Sequence, residues 1–288
     1  MSGTLLSVGH GYSAAALARR LIPLGWTVIG TTRSPERAAE LTASGVEPVL
    51  WPSADLAPAL GRATHLLSSV APDAAGDPVL RAEAEAIARA APHIQWAGYL
   101  STTGVYGDHL GGWVDEATPL TPATDRGRAR VTAEAAWQAL AARSGLPLHI
   151  FRLAGIYGPG RGPFEKVRDG TARRIVKSGQ VFSRAHVEDI AQVLEASIRH
   201  PNPGAVYNVC DDDPAPPEDV IAHAAKLLGR PVPEAIPYDR AELSPMARSF
   251  YAESKRVSNA RIKSELGITL LYPTYREGLA ALLTEERG

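Results

Sequence analysis

The first half of this chain is predicted to form an α/β fold, a doubly wound parallel sheet, followed by a smaller C-terminal substrate lobe. Three observations predict it. Short apolar runs alternate with Ala-rich helical patterns up to about residue 155, the order that gives a parallel sheet covered on both faces. The first apolar run passes through Gly9-x-Gly11-x-x-Ala14 straight into a helical pattern. With 288 residues and 45% hydrophobic content, the chain can also bury a substantial core.

Taken in order, Thr4 to Val8 reads as the first strand and Tyr12 to Ile22 as the helix after it. Gly9 permits the tight turn, Gly11 lets the backbone approach a phosphate, and Ala14 is small enough for the helix to pack on the strand. The free N–H groups of His10, Tyr12 and Ser13 would then face a dinucleotide pyrophosphate. The second strand, Thr27 to Thr31, leads into Thr32-Arg33-Ser34-Pro35. An NAD site places an acid there for the ribose 2′-hydroxyl; Arg33 with Thr32 and Ser34 instead suits a 2′-phosphate, which favours NADP over NAD. The competing reading is a solvated Arg33 in a loop capped by Ser34, and the position favours the phosphate. Arg37, one turn into the next helix, is expected to face water.

Further strands are predicted at Val46 to Trp51, His65 to Ser68, Trp96 to Leu100 and Leu148 to Arg152, with helices at Pro35 to Ala43, Pro78 to Ala90 and Arg126 to Arg143. Ser69, just past the fourth strand, joins the cofactor set because ligands sit outside the carboxyl ends of such strands. Residues 1–155 are assigned to the dinucleotide-binding (Rossmann) domain. Residues 156–288, where Pro and Gly thicken, are assigned mainly to the substrate lobe, with segments around 184–210 returning to the core. Helices are expected there at Val187 to Ile198, Pro217 to Leu228, Ser258 to Leu266 and Tyr275 to Leu283, and a short strand at Val206 to Val209.

Composition narrows the partners. A net charge of −1 offers no basic field for nucleic acid, and the single Cys210 rules out an intrachain disulfide and fits a reducing cytoplasm. No run approaches the ~20 apolar residues of a membrane span and no signal-peptide pattern opens the chain, so a cytoplasmic protein without membrane contact is expected. Asp211-Asp-Asp213 before Pro214 lacks partners at ligand spacing and reads as a solvated turn, so no metal site is expected.

The fifth strand ends in Tyr99-Leu-Ser101-Thr102-Thr103-Gly-Val-Tyr106-Gly107, and Arg152-Leu-Ala-Gly-Ile-Tyr157-Gly-Pro-Gly160, Arg184-Ala-His186-Val-Glu-Asp189-Ile-Ala and Tyr207-Asn-Val-Cys-Asp-Asp-Asp-Pro214 follow. With the glycine turn, these segments resemble the extended and atypical short-chain dehydrogenase/reductases, which include sugar-nucleotide epimerases and dehydratases. By that resemblance Thr102 takes the place of the catalytic Ser/Thr that bonds a substrate oxygen; the alternative is a strand-end hydroxyl satisfied by backbone. The resemblance fails at the Tyr-x-x-x-Lys pair. No Tyr or Lys occurs from 107 to 156, and the nearest correspondence puts Arg126 at the Tyr and Arg130 at the Lys. The one-turn spacing keeps both on one helical face. A guanidinium stays charged at pH 7 and is no ordinary proton relay. It can still hold ribose hydroxyls, clamp a phosphate or stabilise an oxyanion. Arg130 is therefore a candidate cofactor contact and Arg126 a candidate anchor for an anionic substrate; the alternative is a solvated basic face with Arg128 and Glu134.

Other candidates for proton transfer are Tyr106, Tyr157 and His186, the last more often a helix cap or packed ring in such a position. Tyr157, Arg161 and His186 are the candidate substrate contacts. Two functions follow. One is an NADP-dependent oxidoreductase, or an epimerase or dehydratase using the cofactor transiently, on a small hydroxyl or carbonyl substrate of which a nucleotide sugar is one example. The other is a non-catalytic NADP(H)-binding sensor or regulatory protein. A homodimer is compatible with the family resemblance, although packing on the sheet explains the Ala-rich helices equally well.

Overall fold

The computed structural model describes residues 2–286. Its strands are β1 (Thr4–Val8), β2 (Thr27–Thr32), β3 (Glu47–Leu50), β4 (His65–Ser68), β5 (Trp96–Thr102), β6 (Trp113–Val114), β7 (Leu148–Leu153), β8 (Gly155–Tyr157), β9 (Arg174–Val176), β10 (Arg184–His186), β11 (Val206–Val209), β12 (Ala235–Pro237) and β13 (Arg256–Val257). The helices are α1 (Tyr12–Leu21), α2 (Pro35–Ala43), α3 (Ala57–Arg62), α4 (Pro78–Ala90), α5 (Asp125–Ser144), α6 (Phe164–Arg168), α7 (Val187–Arg199), α8 (Pro217–Leu227), α9 (Pro245–Phe250), α10 (Ala260–Leu266) and α11 (Tyr275–Glu285).

Seven strands form one parallel sheet in the order β11-β7-β5-β4-β1-β2-β3. The order reverses between β1 and β4, and the crevice at their carboxyl ends is where ligands bind in open α/β sheets. Register places Leu6 beside Ile29 on one side and Leu66 on the other. Successive residues of β1 serve opposite faces: Leu5 packs with Leu17 and Leu21 of α1 and with Val187 and Leu194 of α7, whereas Leu6 packs with Leu60 of α3, Ile87 of α4 and Trp137 of α5. That alternation is the period of a strand covered by helices on both sides.

The helix ends show why these boundaries hold. Ser34 Oγ accepts from Arg37 N and Asp77 Oδ1 from Val79 N and Leu80 N, each N-cap being followed by a proline at the first helical position. A separate apolar cluster joins α6, α8 and α11 through Phe164, Val220, Ala224, Tyr275 and Leu279. The short strands pair across long stretches of chain, β6 with β13, β8 with β10 and β9 with β12. None of these pairs, nor α3, α6 or α9, was expected from the sequence. The helix expected from Ser258 begins at Ala260, because Arg256 and Val257 are held as a strand against Trp113 and Val114. Among the described residues, no helix is long and apolar enough to cross a membrane.

Candidate cofactor and substrate cleft

A cleft of about 980 Å³ opens over the carboxyl ends of β1, β4, β5 and β7, the upper part of the range for small-molecule sites. Its first end is made by the glycine turn. Gly9 has φ +78°, and a Cβ there would lie 2.8 Å from Val70 Cγ2, so backbone freedom and close packing both require glycine. A Cβ at Gly11 would meet nothing nearer than the Gly9 carbonyl at 3.8 Å, so the space in front of Gly11 is open. Gly11 is the N-cap of α1 and offers no side-chain cap, and the first turn of α1 carries no acid. The unpaired N–H groups and positive dipole end of this helix therefore face the cleft, as a pyrophosphate requires. Tyr12, Ser13 and Ser69 also line it, and Ser69 Oγ is buried without a partner among the described residues. An open backbone cradle with an unsatisfied hydroxyl fits a dinucleotide.

His10, expected to offer its N–H to the pyrophosphate, contributes neither ring nor N–H to the cleft. Its ring lies under the turn, 5% exposed and against Gly30, and its N–H is spent on the Thr31 carbonyl. Burial and, to a lesser extent, Arg37 push its pKa down to about 4. Gly9 N donates to Thr31 Oγ1 at 2.8 Å, which ties the turn to the end of β2. Beyond that end, Thr32 Oγ1 accepts from Ser34 N and Ser34 is occupied as the cap of α2. Arg33 is exposed, with no hydrogen-bond or ion-pair partner among the described residues.

The second end is made of side chains. Thr102 lines the cleft; its Oγ1 accepts from Gly104 N at 3.2 Å, and its hydroxyl proton has no acceptor among the described residues. Arg126 lines the cleft from α5, exposed and without an ion-pair partner among the described residues. Arg130 is half-buried on the same helix, donating to Tyr99 Oη at 2.9 Å and to the Leu100 carbonyl at 2.8 Å. The solvated basic face read as the alternative for α5 fits Arg128, which pairs with Asp125, and the exposed Arg126, but not Arg130 or Glu134. Glu134 is 2% exposed, because it accepts from Ser101 Oγ and forms an ion pair at 2.7 Å with Arg152, itself 5% exposed.

Tyr106 belongs to this buried network and not to the cleft. It is fully buried, its hydroxyl donates to Asn208 Oδ1 at 2.8 Å and accepts from Arg152 Nη1 at 2.9 Å, and burial raises its pKa. His186 is likewise away from the cleft. Its Nδ1 accepts from Glu188 N as the cap of α7, its ring packs on Tyr157 and Tyr272, and burial lowers its pKa to about 4. Tyr157 does reach the cleft, but its hydroxyl is turned toward the Thr274 carbonyl and burial raises its pKa. Arg161 lines the cleft near Tyr12. The acidic turn is a further correction: Asp212 pairs with Lys263 and Asp213 with Arg276, while Asp211 is 3% exposed and burial carries its pKa up to about 8.

Two cleft residues, Glu253 and Lys255, had no motif to announce them. Lys255 Nζ donates to the Gly107 carbonyl at 2.6 Å and to Glu253 Oε2 at 2.7 Å, and Glu253 Oε1 is buried without a partner among the described residues. Arg184 enters from β10, donating to the carbonyls of Phe182 and Ala215.

This combination of parallel sheet, glycine turn and Ser/Thr strand end defines a nucleotide-dependent dehydrogenase or epimerase class. Residues 84–210 match the NAD dependent epimerase/dehydratase family. Protein YeeZ of Escherichia coli K12 is 30% identical over 92% of this chain and 95% of its own length. A 3-diazoavenalumate denitrifying reductase of a Streptomyces species is 31% identical over 58% of each chain. A conserved protein of Silicibacter pomeroyi, described as functionally unknown, superposes with a TM-score of 0.94 at 61% identity, covering 99% of this chain and 100% of its own. The chain belongs to the NAD-dependent epimerase/dehydratase family, within the extended and atypical short-chain dehydrogenase/reductases.

Proposed function

We propose that this protein is an NADP-preferring oxidoreductase acting on a small, anionic hydroxyl or carbonyl compound through a non-standard active site. The observation that carries the reading is a single continuous cleft running from the glycine turn past Thr102 to Arg126 and Lys255. A nicotinamide bound there supplies or accepts a hydride. Gly9, Gly11, Tyr12, Ser13 and Ser69 line the pyrophosphate end, Arg33 addresses a 2′-phosphate, and Arg130 holds the wall beside the ribose. The relationship to a streptomycete reductase supports reduction as the direction.

Each residue at the substrate end has spare hydrogen-bonding capacity. Thr102 Oγ1 keeps its own proton to donate to a substrate oxygen. Lys255 uses two of its three N–H bonds on Gly107 and Glu253, which leaves one for that same oxygen as charge develops on it. Arg126 attracts the anionic group and fixes orientation, and the proton that the carbonyl oxygen takes up with the hydride comes from the Lys255 ammonium, which water reprotonates. The non-catalytic reading is not favoured, since a cleft lined by Thr102, Arg126, Glu253 and Lys255 serves no purpose in a sensor of cofactor alone.

The test is NADPH oxidation against a panel of small aldehydes, ketones and keto acids, with Thr102→Ala as the control. Turnover of an anionic carbonyl compound that falls in Thr102→Ala is expected. Tight NADPH binding with no turnover across the panel would overturn it. Installing Arg126→Tyr together with Arg130→Lys should lower an existing activity; activity appearing only in that double variant would mean the native chain has lost its relay.

A further inference from the structure

Beside the N-terminus of α1, the turn Gly158–Arg161 closes on itself through two backbone bonds, Gly158 N to Arg161 O and Arg161 N to Gly158 O, both 2.9 Å. It is docked on α1. Tyr12 Oη donates to the Pro159 carbonyl at 2.9 Å, and a Cβ at Gly158 would come within 2.5 Å of that hydroxyl and 2.7 Å of Val187 Cγ1, so no other residue lets the turn seat so closely. From this mount the Arg161 guanidinium lies over the Tyr12 ring, 5.7 Å from its centroid.

The other arginines of this face are neutralised, Arg19 by Glu188 and Arg20 by Glu195. Arg161 has no carboxylate partner among the described residues and stands beside a helix end that is itself positive, lacks a side-chain cap and carries no acid in its first turn. A cation beside a helix N-terminus is unfavourable in the free protein, and an anion between the two relieves both. A planar guanidinium and the N–H groups of a helix end lining the same cleft suit the paired oxygens of a diphosphate.

We infer that Arg161 clamps the cofactor pyrophosphate from the side opposite the glycine turn, so that the Gly158–Arg161 turn is part of the cofactor site and not of the substrate site where the sequence placed it. The inference rests on the cofactor reading above. It separates Arg161 from Arg33 by chemistry: Arg33 addresses a phosphate that only NADP carries, whereas Arg161 addresses one common to NAD, NADP and ADP.

The experiment is a calorimetric titration of the full chain and of Arg161→Ala and Arg161→Lys with NADPH, NADH and ADP, alongside thermal melts of each free protein. Arg161→Ala is expected to weaken all three ligands by a similar factor of about ten, with the loss shrinking at high salt. Arg161→Lys should recover part of it. Because Arg161 is exposed and its charge opposes the helix dipole, the melting temperature of free Arg161→Ala should stay level or rise. Unchanged affinity in Arg161→Ala, or a loss matched by a fall in melting temperature, overturns the clamp. Failure of the unsubstituted protein to bind any of the three overturns the cofactor reading and the clamp with it.

Discussion

At the proposed cofactor end of the cleft the chain presents mainly backbone, the Gly9–Gly11 turn and the open helix end of α1, with the side-chain hydroxyl of Ser69. At the proposed substrate end it presents side chains gathered from four separate stretches, Thr102 from β5, Arg126 from α5, Arg184 from β10, and Glu253 with Lys255 from the loop before β13. The first end depends on local conformation, and its ligand contacts are nearly independent of the core. The second is braced by a buried network in which Glu134, Arg152, Ser101, Tyr106 and Asn208 share hydrogen bonds. A change in the cofactor end should therefore cost binding, and a change beneath the substrate end should cost folding.

The largest expected effect tests the braced end. Glu134→Ala leaves the Arg152 guanidinium buried without its carboxylate, and breaking a buried pair this way costs about 3–5 kcal/mol, to be read from urea unfolding. A cost below about 1 kcal/mol, the range of exposed pairs, would mean the network is not what holds α5 to β7. Next comes Gly11→Ala. The Gly11 backbone, at φ −102° and ψ −159°, suits alanine, and the space before it is open, so the melting temperature should hardly move. The new methyl would stand where a pyrophosphate belongs, and cofactor affinity should fall at least about tenfold. Destabilisation without loss of binding would blur the contrast between the two ends.

A smaller effect separates the two cofactors. Arg33→Ala should weaken NADPH about tenfold, the worth of one charge-assisted contact, and leave NADH nearly unchanged; equal losses would take Arg33 out of the 2′-phosphate site.

The smallest effect is in pH dependence. His10, His65 and His186 each have a pKa lowered to about 4 from an ordinary 6.5, chiefly by burial. Groups depressed in this way support the folded state above pH 6.5 and withdraw that support as pH falls toward 4. Asp211 acts oppositely: raised from 3.8 to about 8 by burial, it favours the folded state at low pH and loses that contribution as pH rises through 8. Melting temperature should therefore fall between pH 6.5 and 4, where three histidines outweigh one carboxyl. His186→Asn, which keeps a cap acceptor but does not titrate, should make that acid limb shallower; an unchanged limb would remove His186 from the account.

The sheet and its covering helices were largely legible because their signals are local. The helices Pro35–Ala43 and Pro78–Ala90 fall where periodicity put them, the first behind the Ser34 cap read from the sequence, and Val206–Val209 stands as read. The two- and three-residue strands were not legible, since β6 exists only because β13 lies beside it and so short a run carries no period. The glycine turn was visible for the reason it works, a backbone requirement that only glycine meets. Glu134 was not, because a charged residue one turn from Arg130 looks like surface until β7 brings Arg152 against it. Lys255 and Glu253 had no pattern at all; only the fold carries them to Gly107.

The most direct test of the cleft as a cofactor site is a calorimetric titration of the purified protein with NADPH and, separately, NADH. The structure predicts saturable binding of NADPH, tighter than that of NADH. Absence of binding by either would contradict the cofactor site and leave the glycine turn as architecture alone.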